Sequence, residues 1–549
     1  MTPDAEEAAP PAREAAVSVS AETLAWLGVA AVFVAFRLGA AFEAPVGGAE
    51  LVHLSGAWQA RIGVEDSRFV PTLFQALSAL LLHGSSSELP SRLLAFAATT
   101  TVPLALYLLR GRLGNAGALL ALLLIAFDPL GILLGGTASA LGFDVPVAIW
   151  VFVALSGALP VSQRRALLAV YALLGLLVAT GGPFLLPLSL TVVAFALFQR
   201  RVARDAVGVL AAGCLAGVVL TSVLAGEPRV AALVLFSAGF EQAWSGPLAG
   251  EVLILYALPI VAPGLAAAGL LARNTLSRRS ADRHEALLLA WSALAGASLL
   301  LSLTTHSFVP VAALTLPLAL ILGPAASRAF GAMWRADWKV ARVALPASAA
   351  FALLALAVSF DWARDQSIGG FSEKARVAYF LVAAVGAALA LFLRRGSGPA
   401  VASLAFAACS ILLVTGAFGM AVHPQGEPLP SPFSGAVARD LRDRAVAARG
   451  ESEGSIVIHD SLKEQATWPF RDSGNVVFAS RVPIDAAFVV WPATLPAPAG
   501  LKAVEGNFAL TASLHTPLND GLDYLHWLIQ RNTLAIRPAT VAVYTRQGQ

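Results

Sequence analysis

Apolar segments of about 20 residues recur along most of this 549-residue chain and constrain its fold more than any other feature. An α-helix needs about 20 mostly apolar residues to cross the hydrocarbon core of a bilayer. The sequence therefore predicts a mainly α-helical, polytopic transmembrane bundle with about thirteen spans. The predicted spans are 24–42, 90–109, 116–135, 142–159, 165–180, 183–199, 205–225, 250–272, 285–303, 307–323, 341–360, 376–393 and 400–421.

The overall composition excludes the soluble classes of protein. Hydrophobic residues make up 57% of the chain and charged residues 13%, about half the charged fraction of an ordinary globular protein. The mean hydropathy is +0.74. A water-soluble multidomain enzyme is excluded because it could not cover so much apolar surface. Disorder is expected only in residues 1–20, which are rich in Ala, Pro and Glu.

The charges of the connecting loops alternate along the chain and predict its orientation. Every second loop is rich in arginine, and the loops between them carry mostly acidic residues. By the positive-inside rule the arginine-rich loops are cytoplasmic, so the N-terminus is inside and the C-terminus outside. Because the basic excess is explained by topology, nucleic acid is not expected as a partner. The predicted location is the inner (plasma) membrane of a bacterium, with membrane lipid around the bundle.

Three non-cytoplasmic segments are too long to be simple connectors. Residues 43–89 form a long first loop with two amphipathic stretches, and the second stretch is too short to span a bilayer. Residues 226–250 form a second loop with aromatic residues suited to headgroup depth. Residues 424–549 form the third segment. The predicted division is therefore a tail at 1–20, a transmembrane domain at 21–423 and a C-terminal extracytoplasmic domain at 424–549.

The C-terminal segment is predicted to be a small α/β domain. It opens with a proline-rich linker, followed by a helix at 437–448. GSIVIHD, NVVFAS, AAFVVWPA and ATVAVYTR have the β-branched and aromatic content of strands, whereas SLKEQATWPFR and DGLDYLHWLIQR are predicted to be helices. The domain contains no glycine-rich phosphate loop and no metal-ligand spacing.

The order of these features resembles the GT-C superfamily of polytopic glycosyltransferases, which use lipid-phosphate-linked sugars. The likeness is carried by SELPSRLLAFAATTTVPLALYLLRGRLGNAGALLALLLIAFDP, which follows the first long loop. Within it, Ser91–Arg92–Leu93 matches the Arg-Leu pair that opens the second span, and Phe127–Asp128–Pro129 matches the proline that ends the third. The chain is similar to the protein-mannosyltransferase and aminoarabinose-transferase branch, including a flippase-activity-associated subgroup. Thr467–Trp468–Pro469 followed by Arg471 resembles the C-terminal domain of that subgroup.

The resemblance implies a donor sugar on a polyprenyl phosphate and a carboxylate that deprotonates the acceptor. In the family this carboxylate comes from the first outside loop, commonly within an Asp-Glu pair, and a second acidic residue begins the fourth span. Glu50 occupies the second position of the pair, and Asp144 occupies the acidic position of the fourth span. Both are therefore candidate catalytic residues. For Glu50 the alternative is a solvated loop carboxylate, and for Asp144 a charge that complements the helix dipole.

The chain departs from the family pattern at several positions. Ala49 occupies the first position of the Asp-Glu pair, and the cations expected to bind phosphate are replaced by small residues or by His306. Arg61, Arg92 and His306 are the candidates to bind the donor phosphate. His53 lies one turn after Glu50, but two residues do not make a metal site, so no metal ligands are assigned. The requirement for a divalent metal as cofactor stays open.

Two hypotheses follow from this pattern. The first is an inverting glycosyltransferase that uses a polyprenyl-phosphate sugar at the outer membrane face. The second is a GT-C scaffold with degenerate catalytic motifs that serves as a structural or assembly subunit and binds a protein partner through its C-terminal domain. A secondary transporter is disfavoured, since the sequence contains neither internal repeats nor paired charges at mid-membrane.

Overall fold

The fold was analysed in a computed structural model of the chain. The structure describes the following residues, together with isolated positions between 172 and 219 and at 343: 20–43, 49–62, 73–84, 87–158, 248–278, 282–305, 307–335, 346–354, 382–390, 397–422, 435–450, 454–514 and 536–546. Most residues of the predicted spans 165–180, 183–199 and 205–225 lie outside these ranges. So do most of the tail 1–20, most of the loop 226–250 and the predicted helix DGLDYLHWLIQR.

The first part of the chain is helical, as predicted. Its helices are α1 (Ala21–Glu43), α2 (Ala49–Ile62), α3 (Leu73–Leu82), α4 (Leu89–Thr99), α5 (Val102–Leu113), α6 (Asn115–Ala126), α7 (Pro129–Gly136) and α8 (Ala140–Leu155).

After α8, the described helices continue with a span that opens on a short helix (Ala249–Val252) and a π-helical turn (Leu253–Ala257). The longer helices that follow are α9 (Leu258–Arg278), α10 (Arg283–Leu301), α11 (Val309–Arg335), α12 (Ser397–Val422) and α13 (Gly435–Gly450).

Six helices among the described residues are long and apolar enough to cross a membrane, or seven if one bent pair counts as a single span. The bent pair is α6 and α7, whose axes differ by 67°. Together they cover the predicted span 116–135, which is broken at Phe127–Asp128–Pro129, the motif that predicted a helix end. There the carboxylate caps α7 by accepting a hydrogen bond from the backbone N of Leu130 at 3.2 Å, and Pro129 occupies the first turn. Both residues favour the start of a new helix.

Many apolar side chains of the spans are exposed, as expected where helices face lipid. Leu300 and Leu301 at the end of α10 are examples, at 72% and 84% exposed. The helices pack around one large apolar cluster centred on α5 to α11, in which Trp291 is the largest fully buried side chain. Glycines permit the closest approaches. A Cβ on Gly117 of α6 would lie 2.9 Å from the Cα of Pro324 in α11.

The C-terminal part forms a five-stranded mixed sheet with the order β2-β1-β3-β5-β4. Its strands are β1 (Ser455–Ile458), β2 (Val476–Phe478), β3 (Ala486–Pro492), β4 (Leu501–Leu514) and β5 (Ile536–Arg546). The first three strands are parallel, and β5 is antiparallel to both β3 and β4.

Four of these strands and helix α13 were predicted from the sequence, but β4 was not. The segment LKAVEGNFALTASL contains Gly506 and Asn507, which weaken a strand pattern, and its pairing with β5 shifts register between Val504 and Asn507. The predicted helix SLKEQATWPFR is wrong in extent. A 3-10 turn (Asp460–Leu462) and a four-residue helix, α14 (Lys463–Ala466), occupy its start, and turns complete it.

The two faces of the sheet pack differently. One face contributes Val457, Val489 and Trp491 to an apolar cluster within the C-terminal part. The other face joins the helices of the first long loop in a shared cluster. Its members include Ile456, Phe488 and Val543 from the sheet and Leu54 and Phe74 from α2 and α3. The loop helices are therefore held between the transmembrane bundle and the sheet.

Candidate functional site

Glu50 lies in the first turn of α2, at the junction of the loop helices with the bundle. Its side chain is 3% exposed. The end of α1, the helix α4 and the connection between α7 and α8 all contribute groups to its surroundings. The alternative of a solvated loop carboxylate is inconsistent with this burial.

The partner of Glu50 is Arg92 in α4, which is equally buried. Nε and Nη2 of Arg92 donate to the two carboxylate oxygens at 2.7 and 2.8 Å, a bidentate pair. Nη1 of Arg92 donates to the carbonyl oxygen of Ala41 at 3.0 Å. The backbone N of Ala138 donates to Oε1 of Glu50 at 2.8 Å. One buried ion pair therefore joins α1, α2, α4 and the start of α8.

This geometry determines what Glu50 can do chemically. A buried charge is tolerated only when it is paired and hydrogen-bonded, and both oxygens of Glu50 already accept hydrogen bonds. A general base must reach the proton that it removes. Three hydrogen bonds already occupy three of the roughly four acceptor sites of this carboxylate, which restricts how an acceptor hydroxyl can approach it. The pair is thus arranged to hold these elements in position.

Asp144 is also buried, at 2% exposed. It lies in α8, whose first residue, Ala140, follows Ala138 by two positions. At a rise of about 1.5 Å per residue, Asp144 is roughly 6 Å further along the helix axis than Ala140. The two candidate carboxylates are thus brought to the same end of α8, although 94 positions separate them in the sequence.

The structure describes only some of the other predicted site residues. Arg61 belongs to the last turn of α2, but its side chain is not among those described. His306 lies outside the described residues. His53 is buried one turn after Glu50, with its ring edge-on to Phe74 at 6.3 Å between centroids. Burial lowers the pKa of His53 to about 4, so the imidazole is neutral at physiological pH.

A second buried polar cluster, which the sequence analysis did not identify, lies between α1, the α6–α7 bend and α11. Arg37 is 2% exposed and donates from Nη2 to the carbonyl oxygen of Ile125 at 2.9 Å. Asp128 faces this arginine and is acted on by its charge. Thr315 places its hydroxyl 3.4 Å from Oδ2 of Asp128. The sequence contained a signal for this cluster, because Arg37 lies inside an apolar span, where an arginine is costly unless a partner compensates its charge.

The sheet domain contacts the outer side of α2 through two tryptophans. The rings of Trp58 and Trp468 meet edge to face, with centroids 6.5 Å apart. Arg471 stacks on Trp468 at 3.9 Å and donates from Nη1 to its carbonyl oxygen at 2.8 Å. A cavity of about 390 Å³ lies further along this domain, between α13 and the Asp472–Ser473 turn. It shares no lining residue with the Glu50 site.

One group of three potential metal ligands occurs among the described residues, and it is distant in sequence from Glu50. Asp282, His284 and Glu285 have ligand atoms within 4.8 Å of one another at the start of α10. They are exposed or half-buried. Acidic residues at a helix N-terminus are stabilised there by the dipole, which explains the cluster without a metal.

The helical bundle with its C-terminal sheet is a GT-C-like fold, and two solved structures share it over nearly the whole chain. Both are of ArnT, a GT-C aminoarabinose transferase, from Cupriavidus metallidurans. The apo form has a TM-score of 0.54 at 16% identity and covers 96% of this chain and 99% of its own. The form bound to undecaprenyl phosphate has a TM-score of 0.52 at 16% identity and covers 97% and 100%.

No protein-family model matches this sequence, and no curated protein matches it. The structural likeness therefore confirms the GT-C-like fold that the sequence resemblance implied. The subgroup and the loss of catalytic motifs stay predictions.

Proposed function

We propose that this protein is an integral-membrane glycosyltransferase that takes a sugar from a polyprenyl-phosphate donor. The observation that carries the proposal is the placement of the two candidate carboxylates, Glu50 and Asp144, near the start of α8 in a fold similar to that of ArnT. ArnT has been solved with undecaprenyl phosphate bound. A polyprenyl phosphate is too apolar to leave the bilayer, so its sugar must be transferred where the headgroup meets water.

The proposed reaction inverts the configuration at the anomeric carbon of the donor sugar. The acceptor hydroxyl attacks this carbon, the bond from the carbon to the phosphate oxygen breaks, and the polyprenyl phosphate leaves. The acceptor proton goes to a carboxylate. Because three hydrogen bonds hold Glu50 in place, we assign this role to Asp144 and assign Glu50 the positioning of Arg92 and the α7–α8 connection.

The leaving phosphate needs cations or hydrogen-bond donors. Arg92 uses three of the five N–H donors of a guanidinium for Glu50 and Ala41. Arg92 can therefore donate to a phosphate only through its two remaining N–H groups. Arg61 and His306 complete the proposed phosphate-binding group. The orientation proposed from the loop charges places this site on the outer face of the plasma membrane.

The test is an assay in liposomes with a panel of radiolabelled sugar-phosphate-undecaprenol donors, with and without a chelator. We expect Asp144→Asn to lose about 100-fold or more of the transfer rate, the usual contribution of a general base. Asp443→Asn, an exposed change in the sheet domain, should leave the rate unchanged. A wild-type protein that neither binds undecaprenyl phosphate nor releases it from any donor would overturn the proposal.

A second candidate function is a non-catalytic GT-C scaffold. The commitment of Glu50 to Arg92, together with Ala49 at the first position of the Asp-Glu pair, favours it. Such a scaffold would bind a partner protein through its C-terminal domain. Purification in mild detergent that returned only this chain would count against it, and a stable second subunit together with no donor turnover would support it.

A further inference from the structure

The two buried arginines of the bundle are connected through α1. Arg37 and Ala41 are four residues apart, one turn along the same helix. Nη2 of Arg37 and Oδ2 of Asp128 both lie beside Gly131 in the first turn of α7. The carbonyl of Ala41 accepts from Arg92, whose partner Glu50 binds the backbone N of Ala138 just beyond the end of α7. The eight-residue helix α7 is therefore fixed at both ends by a buried charge cluster.

Glycines along α7 allow the arginine of α1 to lie against its backbone. A Cβ on Gly131 would lie 3.2 Å from Nη2 of Arg37 and 3.3 Å from Oδ2 of Asp128, so it would fill the gap between the two charged groups. A Cβ on Gly135 would lie 2.9 Å from the Cδ of Arg37, and one on Gly136 would overlap Ala40. The position of α7 relative to α1 thus depends on these contacts.

We propose that Arg37 and Asp128 are positioning residues for the Glu50–Arg92 site and act on it through α7. Asp128 holds the beginning of α7 against Arg37, and this placement brings the amide of Ala138 to Glu50 at the other end. The inference deepens the proposed function, on which its relevance to catalysis rests. The coupling between the two clusters can be measured whether or not the protein is a glycosyltransferase.

The cost of burial supports a positioning role over simple packing. A pair of charged groups in an apolar interior costs several kcal/mol to desolvate, and an apolar pair is often more stable. Arg37 also donates to two backbone carbonyls, that of Phe33 in its own helix α1 and that of Ile125 in the last turn of α6. The second contact ties α1 to the end of α6, just before the bend.

The test is hydrogen–deuterium exchange of the full-length protein in nanodiscs, followed in the peptide 134–143, in which the Ala138 amide is internal. We compare wild type with Asp128→Asn, which keeps a helix cap but loses the charge, and with Gly131→Ala. We expect exchange in this peptide to rise about tenfold in both, as in Glu50→Gln, because the opening free energy of that hydrogen bond falls. Gly28→Ala, whose Cβ would meet nothing within 4 Å, is the matched control.

The decisive measurement is the double variant. If the two clusters are coupled, Asp128→Asn adds no further exchange in the Glu50→Gln background, whereas independent effects would add. Unchanged exchange in α10, which contributes no residue to either cluster, shows that a variant is folded. Wild-type exchange at 134–143 in folded Asp128→Asn and Gly131→Ala, or additivity in the double variant, would overturn the inference.

Binding of undecaprenyl phosphate by the same samples separates the two proposals. If wild type binds and Asp128→Asn binds at least about tenfold more weakly, the positioning extends to the lipid site. If wild type does not bind, the proposed function fails, while the exchange result still decides whether Arg37 and Asp128 position Ala138.

Discussion

Glu50 and Arg92 show how one buried pair can organise several helices. Neither side chain has access to water to offset its charge, and each compensates the other through two hydrogen bonds. Removing one member leaves an uncompensated charge in an apolar site, whereas removing both leaves a poorly filled but neutral one.

We therefore expect Glu50→Gln and Arg92→Met each to lower the free energy of unfolding by about 3–5 kcal/mol. The double variant should lose clearly less than the sum of the two. Chemical unfolding of the purified protein in nanodiscs measures all three. Strict additivity would show that the two side chains do not stabilise each other.

His53 adds a pH dependence to the same helix. Burial lowers its pKa from 6.5 to about 4, so the unfolded chain takes up a proton first as the pH falls. Its neutral form supports the fold fully above about pH 6.5, and up to about 3 kcal/mol of stability is lost as the pH falls to 4. We expect His53→Asn to reduce the slope of unfolding free energy against pH between 6.5 and 4. An identical slope in the variant and wild type would contradict this account.

At the scale of elements, glycines determine how closely the helices approach. Gly117 of α6 lies against α11, and Gly323 of α11 lies against α6. A Cβ on Gly323 would lie 2.7 Å from the backbone N of Ala121 in α6. The contact is between backbones, so it cannot be relieved by a rotation of a flexible side chain. Small residues at helix interfaces serve this purpose in membranes.

Gly117→Ala should lower the unfolding free energy by about 1–3 kcal/mol, because the added methyl forces α6 and α11 apart. The matched control is Gly111→Ala in α5, where a Cβ would meet nothing within 4 Å and alanine favours the helix. Thermal unfolding of both variants in the same detergent tests the difference. Equal midpoints would mean that the interface can adapt.

At the scale of the whole molecule, the sheet and the bundle share the loop helices. Residues of α2 and α3 are buried in one cluster with the inner face of the sheet. The helix that carries Glu50 is thus supported on one side by the bundle and on the other by Trp468. The C-terminal part is positioned to influence the site without contributing a side chain to the ion pair.

Trp468→Ala should speed hydrogen exchange in α2 and cost about 3–5 kcal/mol of stability, since Trp468 is 3% exposed. Ile484→Ala is the control, because Ile484 is 85% exposed in the same domain. Exchange in α10 should change in neither variant. If α2 exchanges at the wild-type rate in Trp468→Ala, the sheet does not support the loop helix.

The sequence by itself determined the elements whose signals are local. Apolar runs of membrane length predicted most of the described helices, β-branched and aromatic content predicted four strands, and Phe127–Asp128–Pro129 predicted a helix end. These predictions succeed because hydropathy, capping and strand propensity act between near neighbours. The strand β4 lacks such a pattern and is stabilised by its long pairing with β5.

Only the tertiary structure decided which charges meet. Glu50 and Arg92 are 42 residues apart, and Arg37 reaches Ile125 across 88. Glu50 could be chosen from the sequence as a site residue, but its commitment to Arg92 could not. Each residue alone is compatible with solvent, lipid headgroups or a partner. Its surroundings depend on how helices from distant parts of the chain pack against one another. A buried charge pairs with whichever polar group this packing places beside it.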